Sequence, residues 1–541
     1  MKTGWKCDGY SEALTTKRVP HAFKFVNYVV NGPPCSVALF RHAAPPQQQS
    51  AFEYYQLHVS LELSGPFEEE LDVWNRLVLR AAYHEEAIRH AIYALGSFHQ
   101  HYSILSDNIS SFSKQGLEEY SLALFTLATS KHSQRLMEVT LIGYILFTFC
   151  EQLQGHFGSA KAHVESGFKL LHDYVRSEKE NNSRPKGPKD SQSYIPVEAL
   201  VTLFRRLHCQ LIEIGQPSSY MIDETLPSRA PQIDYHFQSL GAASYALERL
   251  AQQLNTITQY ATANNLSAWS PEMTLLRETS YSGILREIDQ WKMGFDDYIS
   301  CETRLSPQSL EQREEAVKIL RLWYFATKLF LQLESPNEVM GYDNCNSIFQ
   351  AMVEVGHELL LHHTDRHQQP DHCSTRTLHK LSAPVIESLK FTNTELTMFK
   401  DYVQKDNDFH ELRPSYFSRL EGRGRPVFTH AAFSPLPPLF LVTTRCRDPN
   451  LRRQALKVLS QLNRRDGFWD SRVASTCAGL VVYSEELEST RLNRNTSDAC
   501  TSTEIKFAKE VRADTRIVGI QSEFGEGRSM TLSVLKAGAA P

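Results

Sequence analysis

Apolar residues recur at three- and four-residue intervals through most of the chain, the spacing that gathers them on one face of an α-helix. The pattern starts at about residue 52, and Leu71, Trp74, Leu77, Val78 and Ala81 carry it through a first amphipathic helix. The same period predicts helices over 85–106, 112–130, 136–150 and 159–175, then over 197–214, 243–264, 281–299, 308–333 and 347–363. Pro435, Pro437 and Pro438 mark a loop before two late helices over 450–462 and 469–488. Two stretches interrupt the pattern. Residues 177–193, SEKENNSRPKGPKDSQS, are charged, contain Pro185 and Pro188 and have almost nothing to bury, which predicts a flexible insertion. Residues 363–378 form a second irregular zone, with shorter helices after it. Towards the C-terminus the period changes: 516–524 and 528–536 alternate apolar with polar residues around Gly525, Glu526 and Gly527, as the two arms of a β-hairpin do. The expected fold class is therefore all-α, a large multi-helix domain over 51–488 followed by a tail, 489–541, with a short β-hairpin at about 516–536.

A chain of 541 residues, 41% of them apolar, can bury one large core or two fused ones. Its formal net charge of -5 excludes a surface that is one broad phosphate-binding field, so any contact with nucleic acid has to be local. The longest apolar run, Leu141 to Phe149, falls short of the roughly 18 to 20 residues of a membrane span, and no membrane partner is expected. The first residues, MKTGWKCDGYSEALTTKRVP, lack the apolar stretch of a secretory signal, and the ten cysteines are widely spaced; both point to reduced thiols in the cytosol or nucleus.

The candidate chemistry is thin. His357, Glu358 and His362 spell HELLLH, but the zinc-protease motif needs its second histidine four residues after the first, and five residues turn a helix through about 500°, which points the two imidazoles apart. His362, His363, His367, His372 and Cys373 offer metal donors close together, with spacing that fits no closed ligand set and reads as a solvated polar loop. GEGRS at Gly525 has neither the length nor the lysine of a phosphate loop. No GxSxG, GxGxxG or CxxC occurs, and no catalytic residue is expected. Glu68, Glu69 and Glu70 suit the N-terminus of a helix, and the aromatic-rich stretch 144–157 reads as core.

Three stretches carry a resemblance. Residues 141–174, LIGYILFTFCEQLQGHFGSAKAHVESGFKLLHDY, contain a long helix ending in a glutamate and a glycine-bearing turn, then a helix with histidine and glycine near its middle: Glu151, Gly155, His163 and Gly167. Residues 465–486, RDGFWDSRVASTCAGLVVYSEE, lead from an arginine-glycine-aromatic segment through Trp469, Asp470 and Ser471 into a late helix. The third is the hairpin sequence RIVGIQSEFGEGRSMTLSV. Together these resemble the fungal-specific transcription factor family, in which an N-terminal binuclear zinc cluster is joined to a helical regulatory domain. In this setting Gly155 and Gly167 are expected to permit turns or close helix approach, Trp469 to anchor the last helix, and Asp470 or Ser471 to cap it.

The resemblance implies regulation of transcription in the nucleus, of a metabolic or biosynthetic gene set. It also gives Cys7 a meaning, because Cys7, Asp8, Gly9 and Tyr10 resemble the last zinc ligand and the short tail behind it. Residues 1–50 are then the remnant of a cluster plus a linker that is mostly disordered, and the remaining ligands would have to precede Met1. A lone thiolate cannot hold a four-coordinate structural zinc, so Cys7 is an orphan, and the chain as written takes no cofactor; zinc enters only if upstream cysteines exist. Two readings stay open. A complete cluster would bind promoter DNA directly. Without one, the chain is a helical interaction protein or inhibitor that reaches DNA through intact transcription factors, and dimerisation is possible in either case.

Overall fold

The computed structural model describes residues 45–67, 71–103, 110–130, 136–181, 193–216, 235–263, 271–301, 310–333, 341–366, 389–391, 426–430, 433–496, 508–525 and 530–536. Cys7 and most of the leader, most of both expected insertions, the HHTDRHQQPDHC cluster beyond Arg366 and most of the segment after residue 378 where shorter helices are expected lie outside the described residues; His362 and His363, expected in a polar loop, stand instead in the last turns of a helix that runs to Arg366.

The chain is all-α in class with small sheets near its C-terminal end. Helix α1 (Pro46–Tyr54) starts inside the polar run read as linker, with a proline at its first position, where no N–H is needed. A π turn, Tyr55–Val59, joins it to α2 (Ser60–Ser64), and a second π turn, Val73–Leu77, leads into α3 (Val78–His84). Then follow α4 (Glu86–Ser103), α5 (Ser110–Thr129), α6 (Leu136–Gln154), α7 (Phe157–Asn181) and α8 (Val197–Glu213). These form the first core, in which Trp74, Phe147, Phe149, Phe168 and Phe204 are fully buried. By length and composition α6 is apolar enough to cross a bilayer, but its residues are buried in this bundle among α4, α7 and α8.

A second core holds α9 (Leu240–Ala263), α10 (Pro271–Cys301), α11 (Leu310–Gln332) and α12 (Asn346–Arg366), centred on Trp291, which stacks on Phe295 at 4.7 Å and donates its indole N–H to Ala243 O. The third and smallest joins α13 (Leu436–Arg445), α14 (Pro449–Gln461) and α15 (Ser471–Thr496). Pro437 and Pro438, expected in a loop, stand instead in the first turn of α13, where the missing N–H groups cost no intrahelical bond. Asp448 caps α14 by accepting from the N–H groups of Asn450 and Leu451.

Two three-stranded sheets complete the fold. Strands β2 (Val427–Thr429), β3 (Arg464–Asp466) and β4 (Trp469–Asp470) form one, with β2 parallel and β4 antiparallel to β3. The other contains the expected hairpin, β5 (Ile517–Phe524) antiparallel to β6 (Met530–Lys536), with β1 (Leu389–Phe391) added parallel to β6. The sheet of β2, β3 and β4 touches all three cores: Phe428 and Phe468 belong to the first, nearby Phe433 to the second, and Trp469 to the third.

Candidate functional site

The glutamate-glycine-histidine-glycine stretch folds into a polar clamp inside the first core. Gly155 has φ 78°, a left-handed conformation that ends α6: its N–H bonds Gln152 O, and the N–H of His156 reaches back to Glu151 O. Glu151, next to that turn, accepts the Tyr120 hydroxyl proton at 2.7 Å and faces His156 Nδ1 at 3.1 Å. Tyr120 in turn lies 3.1 Å from His163 Nε2, so the clamp ties α5, α6 and α7 together. Burial drives the pKa of His163 down to about 4, against the pull of Glu151, which leaves a neutral imidazole. With the tyrosine proton given to Glu151, His163 is the donor in the second bond. At Gly167 a Cβ would stand 2.3 Å from the Phe204 ring, so α7 and α8 approach as closely as they do through a glycine.

Residues 464–471 fix the junction of the three cores. Arg464, fully buried, bonds Asp466 at 2.9 Å and Glu315 of α11 at 3.0 Å. Asp466 also accepts from the hydroxyls of Thr429 and Ser434, at 2.7 and 2.5 Å. Arg465 turns the other way. It pairs with Asp470 at 2.8 Å, donates to Gln152 O and Leu153 O at the end of α6, and lies over the rings of Tyr102 and Phe157. A cation there meets the last carbonyls of α6 and the negative end of the helix dipole. Burial alone would raise the pKa of Asp470, but Arg465 and its hydrogen bond hold it below the usual value. Of the two expected caps, Asp470 accepts from the N–H groups of Arg472 and Val473 at the start of α15, whereas Ser471 accepts from the N–H of Arg464. Trp469 lies in β4, not in the helix where the periodicity put it; its ring meets Phe440 edge-on at 5.4 Å and its indole N–H donates to Glu213 at 3.0 Å.

The hairpin closes against the same place. Gln216, just past α8, donates to Ser522 O and Oγ, and Ser522 donates to Ile214 O. Arg445 of α13 donates to Ile517 O and Val518 O, both at 2.9 Å, and Arg516 holds Asp343 with two bonds. Phe524 stacks on Phe157 at 5.5 Å and on Phe468 at 6.2 Å. All three stretches that carry the resemblance thus meet here. Between them opens a small cleft of about 80 Å³, partly open to solvent, whose walls are mainly the rings of Phe157, Phe440, Phe468, Trp469 and Phe524 with Ile520. Glu213 lines it and also borders a second, more polar hollow of about 40 Å³, where Arg206 holds Glu248 with two bonds at 2.8 and 2.9 Å.

Glu213 is the unusual group. It is the last residue of α8, at the negative end of the helix dipole, and burial raises its pKa to about 7 although the Trp469 indole opposes the shift. Periodicity could not single it out; an acidic residue in the last turn of a helix was the available signal. Tyr120 left no signal, since its hydroxyl sits on an otherwise ordinary core face.

Among the described residues no three side chains of His, Cys, Asp or Glu gather as a metal set, and His357 and Glu358 belong to none. Cys7 lies outside the described residues, and the next cysteine, Cys35, is far from ligand spacing, so the donors present do not fit a zinc cluster. Cys150, Cys209, Cys301, Cys345, Cys446 and Cys477 are free thiols.

Sequence comparison brings in other proteins. The pattern of the fungal specific transcription factor domain matches residues 50–355. The aspercryptin biosynthesis cluster-specific transcription regulator of Emericella nidulans is 22% identical over 489 residues, which cover 85% of this chain and 76% of that protein. A transcription regulator of Purpureocillium lilacinum is 24% identical over 190 residues, 32% of this chain and 44% of that protein. No solved structure matches the chain.

Proposed function

This chain belongs to the fungal specific transcription factor family and is a transcriptional regulator, and from that premise we propose that it acts in the nucleus on the genes of a biosynthetic cluster. The observation that carries the reading is the similarity, over 85% of the chain, to a regulator named for one biosynthetic cluster. The family resemblance runs through the parts that weld the three cores into one unit, which suits a regulatory body that transmits a change of state rather than a set of independent modules. It works by binding and not by catalysis: the strongly perturbed His163 and Glu213 are each tied to another side chain of the scaffold, Tyr120 and Trp469. Contact with promoter DNA is direct where a complete zinc cluster precedes Cys7. With Cys7 alone it passes through a partner protein that carries its own DNA-binding domain.

Chromatin immunoprecipitation of the native gene product, together with transcript profiling of a deletion strain, tests this. Recovery of promoters from one contiguous gene set, whose transcripts change on deletion, is the expected result. No enriched promoter and no altered transcript would overturn it. A gel-shift assay with the purified 541-residue chain separates the two routes. Binding only when a second protein is added means the partner route.

A further inference from the structure

We propose that the outward face of α5 is the docking surface for residues 36–40 of this chain's own leader, SVALF, which moors the leader to the helical body shortly before it enters α1. The contact does not depend on the transcriptional reading; only its consequence does.

A helix on the surface of a folded domain normally turns charged and polar residues to water. Helix α5 does so only towards its start, where Lys114 and Glu118 are exposed and pair at 3.8 Å. Past Glu119 no charged residue occurs through Ser130, over the sequence YSLALFTLATS. The inward side of that stretch is ordinary core, with Tyr120, Ala123 and Leu127 buried. The outward side presents Leu117, Ser121, Leu122, Phe125, Ala128 and Thr129, and Phe125 at its centre is 66% exposed. Ser121 and Thr129 add little polarity, because each donates its hydroxyl to a carbonyl of the helix itself, Leu117 O at 2.7 Å and Phe125 O at 2.8 Å. At 100° per residue these positions fall within about 140° around the axis, the width of a stripe that normally faces a core. Among the described residues none covers it.

The way the chain enters the fold identifies the occupant. The first turn of α1 is tied to α5: Gln115 donates to Gln47 O at 2.9 Å, and Gln48 donates to Glu119 at 2.8 Å. Gln115, Glu119 and Leu122 stand at i, i+4 and i+7 on one line of the helix, so the leader arrives at the border of the apolar face. Pro45, with ψ 150°, takes the chain out of the helix there. The apolar run Val37, Ala38, Leu39 and Phe40 lies a few residues before it. At about 3.3 Å per residue those five to eight residues reach about 16 to 26 Å. The rise from Gln115 to Phe125 is about 15 Å, within that reach.

A second copy of the chain fits this face less well. Stable interfaces between proteins use about 20 to 30 residues a side, far more than one short helical stripe offers. A segment tethered at the border of the stripe needs much less, because a short link presents it at about millimolar concentration. Mooring at residues 36–40 leaves only the leader before residue 36 to range, so the Cys7 stretch is kept on the α5 side of the body. On the transcriptional reading, α5 then sets where a zinc cluster ending at Cys7 stands relative to the helical domain.

The native Cys35 directly precedes the run, and in the docked chain it lies towards the C-terminal end of α5. The test is disulfide trapping in the full chain carrying Thr129→Cys, oxidised with diamide and mapped by mass spectrometry. An intramolecular link from the introduced thiol to Cys35 is expected, forming at least about tenfold faster than the link from Met293→Cys, an equally exposed site on α10. Adding Phe125→Glu, at a position that the described fold leaves exposed, should slow the link by about tenfold or more with an unchanged melting transition. Phe40→Asp, in the leader, makes the same test without altering α5. A link no faster than the control, a rate that neither disrupting variant changes, or a link to any other cysteine overturns the proposal. So does a disulfide between two copies through the introduced thiols, which would assign the face to a dimer. The readout is a covalent link in the purified chain, so its failure leaves the promoter experiments untouched, and the reverse holds equally.

Discussion

Gly167 shows how one hydrogen atom in place of a methyl group sets the distance between two helices. Alanine there would gain about 1 kcal/mol of helix propensity over glycine. Its Cβ would also stand 2.3 Å from Phe204 Cε1 and 3.3 Å from Tyr144 Cβ, and the Phe204 ring is fully buried. Overpacking a tight core costs about 1 to 3 kcal/mol, which outweighs the propensity gain. Gly167→Ala should therefore lower stability by up to about 2 kcal/mol in urea denaturation; a more stable variant would mean that α7 and α8 move apart freely. The glycine was legible in the sequence only through the family resemblance, which marked a glycine near the middle of that helix. Tyr120 and Glu213 were not, because a hydroxyl or carboxyl acquires its partner only from elements distant in the chain.

Among the elements, those with long amphipathic faces were read correctly from the 3.6-residue period, and most differ from expectation by a few residues at their ends. The misplacements have physical causes. Prolines break helices only where an N–H is needed, so Pro437 and Pro438 start α13 instead of preceding it. Strands of two or three residues, such as β3 and β4, are too short to establish an alternation, which is why Trp469 was placed in a helix. The hairpin has arms long enough to show its period, but its parallel neighbour β1 is another short strand and left no trace. What docks the hairpin is equally non-local: Glu485 of α15, fully buried, accepts from Arg447 and Arg452 at 2.9 Å each and from the N–H of Ile517 at 2.8 Å. Removing one member of a buried charge cluster costs about 3 to 5 kcal/mol, because its partners remain buried without compensation. Glu485→Ala should lose about that much in guanidinium denaturation. Replacing Glu485 by leucine together with Arg447→Met and Arg452→Met should recover much of it. A loss under about 1 kcal/mol for the single variant would show that water enters and solvates the arginines.

At the scale of the whole molecule, the buried titratable groups make stability depend on pH in a direction that can be worked out. Burial lowers the pKa of His163 to about 4 and, helped by the charge of Arg206, that of His430 to about 3, both from 6.5. Between about pH 4.5 and 6.5 each histidine is largely neutral in the native chain and takes up a proton on unfolding, so acid favours the unfolded state. Glu213 opposes them. Raised by burial from 4.5 to about 7, it holds a proton in the native chain that the unfolded chain has released, so its contribution grows as the pH falls through the same window. Two protons gained and one lost leave a net uptake of about one proton on unfolding, which corresponds to about 1.4 kcal/mol of stability lost per pH unit below 6.5. The melting temperature should accordingly fall as the pH drops from 6.5 to 4.5. Glu213→Gln removes the opposing group and should steepen that fall, whereas His430→Phe, which leaves a ring against Phe149, should flatten it. A melting temperature that rises over this range, or the two variants shifting the slope in the same direction, would show that these groups do not govern the acid limb.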